Sequence, residues 1–313
     1  MLSLVVRRLL SGVAVLACVT VLTFVLLYSS SGSVARNILG DQATPEAVAA
    51  KEAELGLDQA LLPRLWSWVL DALQGSFGRS WFTYEDVVAA LSSRLPITFA
   101  MVITAILLIA VVSTSLGMLA AVRRGWVDRV VQVFAVVGNA VPGFIIGIVL
   151  VLVFAIQLGW FPAISRITPG ATPDVWVISL TLPVLALVIN GIGSAAQQIR
   201  SAFIKQLELD YVRTLRSRGI SQREILFKHV LRSAAPAGLT VLSLQFISLL
   251  GGVVIIETLF AIPGMGSLAV SATTRSDLPL VMGVVVYTVV IVVIVNLVVD
   301  ILNGWLNPKV RVS

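Results

Sequence analysis

The stretch of the chain whose residue types most clearly suggest a chemistry is DYVRTLRSRGISQREILFKHVLR, at residues 210–232. Six of its 23 residues are arginine or lysine, and only Asp210 and Glu224 oppose them. Each such cation costs about 3 kcal/mol at the centre of a bilayer, so six would cost about 18 kcal/mol. The stretch must therefore lie in water, at lipid headgroups or against a protein.

The spacing within this stretch predicts two short helices joined by a tight turn. Three apolar residues recur at every fourth position of the first helix: Leu207, Tyr211 and Leu215. Gly219 follows them, and glycine readily takes the left-handed conformation that ends a helix. Ser221 and Glu224 have the spacing of a capping box for the second helix, and Ile220 with Ile225 fits a hydrophobic staple. The pattern indicates a rigid helix–turn–helix.

We call residues 207–231 the elbow, and three functions are open for it. Fixing the membrane topology and binding anionic lipid headgroups would explain the charge, but would require no cap, staple or apolar stripe. Nucleic-acid binding would need aromatic residues between the cations, and only Tyr211 and Phe227 are present. Docking of a cytoplasmic protein explains both the charge and the rigidity. The pattern therefore favours docking of a cytoplasmic protein, and we predict that the chain binds no nucleic acid.

No motif in the chain predicts catalysis. The sequence has no Gly-x4-Gly-Lys-Ser/Thr motif and no Gly-Lys pair, so it cannot form a P-loop. It also lacks the HExxH and GxSxG motifs of peptidases and hydrolases. A single cysteine, Cys18, and a single histidine, His229, exclude an intrachain disulfide and a multi-histidine metal site. We predict no catalytic residue, no metal site and no cofactor bound by this chain.

Polar and turn-forming residues in or beside the apolar segments are candidates for a transport pathway or an outer gate. Glu257 and Asp300 lie near opposite ends of two such segments, which makes a poor relay for a proton- or sodium-coupled carrier. Glu257 fits either a structural hydrogen bond or a gate, and Asn190 either lines a polar path or bonds across helices. The candidates are Glu257, Pro263, Gly264, Gly266 and Asn190.

Membrane-spanning helices must position these residues. The chain is 58% hydrophobic with a mean hydropathy of +1.00, and several apolar runs exceed the roughly 18 residues that span a bilayer. Six spans are predicted, at residues 9–29, 96–122, 130–158, 176–198, 236–261 and 280–305. Pro142-Gly143 and Pro183 should kink the third and fourth spans. The first run continues to Tyr28, longer than a signal-peptide core, so we predict an uncleaved span.

The distribution of positive charge predicts the orientation of the spans. With a cytoplasmic N-terminus, 15 of the 22 lysines and arginines lie on the cytoplasmic side, together with the elbow and the C-terminus. Residues 30–95 then form a long external segment. Within it, LDQALLPRLWSWVLDAL at 57–73 predicts an amphipathic helix that either rests on the outer leaflet or receives a partner.

The elbow resembles the cytoplasmic EAA loop of ABC importer permeases, in particular the subfamily that imports oligopeptides, dipeptides or nickel complexes. The residues that carry the resemblance are Asp210, Tyr211, Val212, Arg213, Thr214, Arg216, Gly219, Glu224, His229 and Leu231. Leu215 departs from the alanine usual in that subfamily. Further similar stretches are RRLL at 7–10, LGLD at 55–58, GSFGRS at 75–80, ETLFAIPGMGSL at 257–268, RSDLP at 275–279 and NLVVDILNGWLNPKVR at 296–311. SSSGSVAR at 29–36 differs from the family.

The resemblance implies an all-α membrane protein with six transmembrane helices and the type I ABC importer permease fold. A transmembrane helix at 1–30 and an extracytoplasmic segment at 31–95 would precede a five-helix permease core at 96–313, which includes a cytoplasmic coupling loop at 201–235. The residues expected to couple to an ATPase are Tyr211, Arg213, Thr214, Leu215, Arg216, Gly219, Ile220, Ser221, Glu224 and His229.

The same resemblance implies the partners and the location of the chain. A second homologous permease, two ATP-binding subunits and an extracytoplasmic substrate-binding protein would complete an importer in the inner (plasma) membrane, with di- or oligopeptides as the expected substrates. ATP and Mg²⁺ would be bound by the ATPase subunits. The alternative from a different class is a self-sufficient secondary carrier or channel, which the poor acid relay and the structured elbow disfavour.

Overall fold

A computed structural model describes residues 2–30, 34–40 and 42–306, and its regular elements are helices. The first five are α1 (Leu2–Ser30), α2 (Val34–Leu39), α3 (Pro45–Leu55), α4 (Leu61–Leu73) and α5 (Val87–Val122). The next four are α6 (Trp126–Ala140), α7 (Gly143–Leu150), α8 (Pro173–Leu207) and α9 (Asp210–Ser217). The last four are α10 (Gln222–Glu224), α11 (Leu231–Leu259), α12 (Met265–Thr274) and α13 (Leu278–Leu306). A π-helical turn, Val151–Gln157, extends α7, and another, Ile225–Val230, joins α10 to α11.

Within the described residues, five helices are long and apolar enough to cross a membrane: α1, α5, α8, α13 and the continuous stretch Gln222–Leu259. A sixth span results if α6 and α7 with its π-helical turn are taken as one bent unit. The prediction of an all-α protein with six apolar spans is confirmed in this form. The helices also extend beyond the predicted spans: α5 begins at Val87, and α8 continues to Leu207.

The third predicted span, 130–158, is not a kinked helix but a pair of helices bent by 95°. Pro142 has no N–H to continue the hydrogen-bond ladder, and it forces Val141 into an extended conformation (φ −92°, ψ 118°). Pro183, by contrast, lies inside α8, which continues unbroken on both sides. The predicted kink at Pro142 is therefore confirmed, as a sharper bend than within a single helix, and the kink at Pro183 stays a prediction.

The chain divides into two compact units, which we call the N-terminal unit (residues 6–98 and 263–294) and the elbow unit (99–262 and 295–306, with the described residues before 6). In the N-terminal unit, an apolar cluster around Phe24 joins α1 to the segment that follows it. A second cluster packs the start of α5 against α12 and α13.

Two stretches that carried the family resemblance, 75–80 and 275–279, meet in the N-terminal unit. Asp277 is buried and accepts hydrogen bonds from the Ser80 hydroxyl and, at 3.2 Å, from the backbone N–H of Trp81. A buried carboxylate is stable only when its oxygens are hydrogen-bonded or paired, so these donors account for the position of Asp277. The contact holds the chain before α5 against the start of α13.

The elbow unit is held by close packing of α8 against α6, α7 and α11. The approach of α6 to α8 depends on Gly193, where a Cβ would come within 2.8 Å of the Ala135 carbonyl oxygen. Polar pairs also link the helices: the Ser243 hydroxyl donates to Asn296 Oδ1 at 2.8 Å. Small residues that allow close approach and hydrogen bonds across helices are the usual stabilising features of membrane bundles, because lipid provides no hydrophobic drive between helices.

Candidate functional site: the elbow

The first half of the elbow is α9, which ends in a Schellman turn. Gly219 takes the left-handed conformation, with φ 76°. Its N–H donates to the Arg216 carbonyl at 3.0 Å, and the N–H of Ile220 donates to the Leu215 carbonyl at 3.2 Å. These two bonds satisfy carbonyls that the end of a helix leaves without partners, and they fix the direction of the chain leaving α9.

The second half of the elbow begins with a capped helix start. The Ser221 hydroxyl accepts a hydrogen bond from the N–H of Glu224 at 3.2 Å, as an N-cap does. The Glu224 carboxylate pairs with Lys228 at 3.0 Å, and the Ser221 hydroxyl supplies the half of the predicted capping box that the structure shows. The predicted second short helix is not separate: it continues through the π-helical turn into α11. Similarly, Leu207 ends α8 and does not belong to α9.

An apolar cluster forms the base of the elbow. Four residues of α9 and the π-helical turn are buried in it: Val212, Ile225, Leu226 and Val230. Three of the predicted coupling residues pack against this cluster and are half-buried: Tyr211, Leu215 and Ile220. The sequence predicted the apolar stripe and, through the hydrophobic staple, Ile225, but not the burial of Val212, Leu226 and Val230. Their apolar side chains between charged residues were a signal for it. Burial of these side chains holds α9 against the start of α11.

The opposite face of the elbow is exposed and mostly polar. Six predicted coupling residues lie on it: Arg213, Thr214, Arg216, Gly219, Ser221 and Glu224. His229 is half-buried on the π-helical turn. Phe227, which was not among the predicted site residues, leaves 59% of its surface exposed beside these charged groups. The elbow therefore presents a cationic surface with one exposed aromatic side chain.

A polar recess lies next to this surface. It has a volume of about 370 Å³, and its lining includes Arg213, Arg216 and Gln222 of the elbow. Arg124, from the loop before α6, and Glu208, between α8 and α9, also line it and form a salt bridge at 3.0 Å. The sequence did not predict this meeting of Arg124 with the elbow, because the two segments are more than 80 residues apart.

A second ion pair joins the C-terminal part of α8 to the start of α6. The guanidinium of Arg200 donates two hydrogen bonds to the carboxylate of Asp128, at the start of α6, and both side chains are largely buried. A bidentate arginine–carboxylate pair restrains orientation as well as distance. The start of α6 and the end of α8 are thus held together at the end of the unit that bears the elbow.

The candidate pathway residues are distributed between the two units. In the elbow unit, Asn190 donates to the carbonyls of Gly138 and Val141 at 3.4 and 3.1 Å. These carbonyls lie at the bend between α6 and α7, where Pro142 interrupts the helical ladder. The geometry supports the alternative that Asn190 bonds across helices. A role for Asn190 in the pathway stays a prediction.

Glu257 lies in the last turn of α11, and its side chain is fully buried. Its backbone carbonyl accepts from the N–H of Ile262 at 2.8 Å, and Ala261 between them has a positive φ of 49°. The remaining candidates, Pro263, Gly264 and Gly266, belong to the N-terminal unit, in the turn before α12 and in its first residues. The N–H of Met265 donates there to the Thr98 hydroxyl at 2.8 Å.

Two family models together match nearly the whole chain. Residues 1–102 match the N-terminal model of the membrane component of binding-protein-dependent transport systems. Residues 113–312 match the model described as the binding-protein-dependent transport system inner membrane component.

Full-length relatives agree with this assignment. A putative peptide transport system permease protein of Brucella abortus is 36% identical over 312 residues, which cover 99% of each chain. A probable peptide ABC transporter permease protein of Sinorhizobium fredii is 37% identical over 310 residues, 98% of each chain. The glutathione transport system permease protein GsiC of Escherichia coli is 35% identical over 312 residues, 99% of each chain.

A solved structure has the same fold. An inward-facing conformation of the MetNI methionine ABC transporter matches with a TM-score of 0.55 at 17% identity, over 70% of this chain and 96% of that one. The architecture is therefore that of a type I ABC importer permease. Together with the apolar spans and the full-length relatives, this makes the chain a multi-pass inner-membrane permease subunit of an ATP-driven importer. The chain belongs to the family of binding-protein-dependent transport system inner membrane components.

Proposed function

We propose that the elbow transmits the ATP-driven conformational change of a cytoplasmic ATPase to this subunit. We also propose that the importer which the subunit forms carries di- or oligopeptides. The observation that carries the first part is the division of the elbow into a buried apolar base and an exposed cationic face. A helix that transmits force must be rigid, and burial of Val212, Ile225 and Val230 together with the turn at Gly219 stabilises one orientation of α9. The exposed face remains free to contact a partner.

The proposed orientation is cytoplasmic for the elbow and for both chain ends. Support comes from the contacts between the two cation-rich loops of the elbow unit. The salt bridge of Arg124 with Glu208 brings the loop before α6 beside the start of the elbow. The ion pair of Arg200 with Asp128 joins α8 to the start of α6. Short loops rich in arginine and lysine remain on the cytoplasmic side of a membrane.

The proposed complex contains a second homologous permease, two ATP-binding subunits and an extracytoplasmic substrate-binding protein, with ATP and Mg²⁺ on the ATPase subunits. The names of the relatives support the substrate class, since they include peptide and glutathione permeases. Uptake of labelled dipeptides and longer peptides by cells with and without this subunit tests that part. Equal uptake of all of these peptides in both strains would contradict the substrate assignment.

The substitution Gly219→Val tests the coupling role. A β-branched residue strongly disfavours a φ of 76°, although its Cβ would meet no atom within 4 Å, so the turn should open without a clash in the core. We expect the subunit to insert in the membrane while substrate-stimulated ATP hydrolysis and uptake are lost or the ATPase dissociates. The measurements are copurification of the ATPase and ATP hydrolysis in reconstituted vesicles.

Gly159→Val is the matched control. Gly159 also has a positive φ, 65°, with open space around its Cβ, but it follows the π-helical turn after α7, away from the elbow in the sequence and in the helix order. It should suffer the same backbone strain and keep ATPase coupling. Normal substrate-stimulated hydrolysis and uptake in Gly219→Val would exclude the elbow as the coupling element.

A further inference from the structure

The amphipathic helix α4 has three distinct faces. One packs onto the cluster around Phe24 and is formed by Leu61, Leu65 and Trp68. A second face is apolar and exposed, with Leu62 and Leu73 at its two ends at 73% and 80% exposure. Trp66 and Leu70 lie between them on the same face. A third face carries the polar residues Arg64, Ser67 and Asp71. A helix on a flat membrane surface needs only one apolar face, so the second one requires an explanation.

The neighbours of α4 show how it lies relative to α1. At its start, the Tyr28 hydroxyl donates to the carbonyls of Leu57 and Gln59, so this end lies beside the end of α1. Trp68 lies about two turns into α4, and its ring is 6.4 Å from that of Phe24, which precedes Tyr28 on α1. Progress along α4 therefore corresponds to progress backwards along α1, and the two helices run antiparallel.

The far end of α4 lies beside the middle of a membrane span. An apolar groove of about 360 Å³ is lined by Val69 and Leu73 on α4 and by Leu16 and Ala17 on α1, and α13 contributes Val286. The apolar span of α1 extends from Val5 to Ser29, so Ala17 is its central residue. A helix of 13 residues is about 20 Å long. That length reaches past the middle of a hydrocarbon core about 30 Å thick.

The end of α4 has partners within the chain for two of its last carbonyl groups. The N–H of Gly75 donates to the Ala72 carbonyl, and the N–H of Ser76 donates to the Asp71 carbonyl, both at 3.0 Å. Gly75 takes the left-handed conformation that this Schellman turn requires, with φ 86°. Backbone groups at membrane depth must have partners within the protein, and this turn supplies two of them.

We propose that α4 is a re-entrant helix that enters the bilayer beside α1, with its exposed apolar face covered by lipid acyl chains. The lipid is favoured because the exposed face of α4 continues the exposed apolar surface of α1 at Val13, Leu22 and Leu26, which a bilayer must cover in any membrane span. The polar face then borders water or protein, since the carboxylate of Asp71 is costly in hydrocarbon.

Site-directed spin labelling of the reconstituted importer tests this proposal. Single cysteines replace Leu62, Trp66 or Leu73 on the exposed apolar face of α4 in a Cys18→Ser background, and the background importer measures nonspecific labelling. Collisions of the nitroxide with oxygen and with a water-soluble nickel chelate give the depth of each label. Labels at three exposed residues of α1 provide a ruler in the same protein: Leu26, Leu22 and Val15. A label at the exposed Glu46 provides the water reference.

We expect the depth to increase by about 16 Å from position 62 to position 73, which is eleven residues at about 1.5 Å each. The label at 62 should match that at 26, and the label at 73 should match that at 15. Leu70→Cys provides an independent variant on the same face if Leu73→Cys does not assemble. Equal depth at 62 and 73 would show a helix lying flat at the interface and overturn the proposal. A label at 73 that is shielded from both reagents only when the second permease is present would overturn lipid as the occupant.

Discussion

Two turns flank α11, the elbow turn before it and the turn after Leu259, and they share one backbone geometry. In each, a residue with positive φ follows the helix end, and the next N–H donates back to a carbonyl five residues earlier: Ile220 to Leu215 at 3.2 Å and Ile262 to Glu257 at 2.8 Å. The positive φ belongs to Gly219 in the first turn and to Ala261 in the second. Both are Schellman turns.

The difference lies in what surrounds them. Around the elbow turn, the space next to Gly219 is open, Arg218 is exposed and Ile220 is only half-buried. Around the second turn, Phe260 and Ile262 are buried, and the Phe260 carbonyl accepts from the N–H of Ser165 at 2.8 Å. Local sequence alone can stabilise the first turn, whereas packing forces Ala261 into a conformation that costs an L-residue about 1–2 kcal/mol. The exposed elbow turn depends on the conformational freedom of glycine, whereas the second turn is stabilised by the buried side chains around it.

Removing an aromatic ring beside each turn, Phe260 at the second turn and Phe227 on the π-helical turn that follows the elbow turn, should give the largest contrast. Phe260→Ala deletes a side chain that is 1% exposed, next to Gly147 of α7, and should reduce the free energy of unfolding by about 3–5 kcal/mol. Phe227→Ala deletes one that is 59% exposed and should change stability by less than about 0.5 kcal/mol. If Phe227 contacts the ATPase, its loss should weaken that association by about 1 kcal/mol or more, roughly fivefold.

The measurements for this pair are the thermal midpoint of the purified subunit in detergent and the amount of ATPase that copurifies. A stability loss in Phe227→Ala as large as that in Phe260→Ala would mean that the exposed face of the elbow is as tightly packed as the second turn, and the contrast between the two regions would fail.

Asp128→Asn tests whether the elbow also depends on tertiary support. The change leaves the largely buried guanidinium of Arg200 without its counter-charge, which in fully buried sites costs about 3–5 kcal/mol and here, with partial exposure, about 2–3 kcal/mol. We expect a lower thermal midpoint and weaker ATPase copurification at unchanged membrane insertion. Arg124→Gln, which breaks an exposed pair with Glu208, is the control and should cost less than about 1 kcal/mol. Equal effects of the two substitutions would show that burial does not increase the contribution of the Asp128–Arg200 pair to stability.

Exchanging the residue types at the two positive-φ positions should give opposite signs. Gly219→Ala should destabilise the elbow by about 1 kcal/mol, while Ala261→Gly should stabilise the second turn by up to about 1 kcal/mol, since the exposed methyl group of Ala261 packs against little. Thermal midpoints of the two variants and of the double variant provide the measurement. Destabilisation by both changes would indicate that Ala261 contributes packing that outweighs its backbone strain.

Ser221→Ala should have a small and local effect. It removes the hydroxyl that accepts from the N–H of Glu224, a loss of about 1 kcal/mol at an exposed N-cap. Ser221→Asp keeps an acceptor there and should restore stability and ATPase copurification. Hydrogen exchange of the amide of Glu224 should increase in the alanine variant alone, and unchanged exchange would contradict the capping role.

Much of the elbow could be predicted because its signals are local. The glycine position, the cap at Ser221 and the four-residue spacing of Tyr211 and Leu215 act within a few residues of one another, so the chain order contains them. The boundary between the elbow and the fifth span could not be predicted from those signals. The charged residues before the fifth span suggest that its helix begins after them. In the structure, the π-helical turn Ile225–Val230 leads directly into α11, so the helix includes charged residues of the elbow.

By itself, the sequence determined the membrane class, the number of apolar segments, the charge of the elbow and its turn, because hydropathy, charge and backbone preference are properties of short stretches. Only the tertiary structure decided which distant groups meet: Arg124 with the elbow recess, Arg200 with Asp128, and Asn190 with the carbonyls at the α6–α7 bend. It also decided that α4 runs along α1 and not away from it. These pairings depend on how whole helices pack, and one sequence fits many such packings until side-chain volume, close approach at small residues and satisfaction of buried polar groups select one.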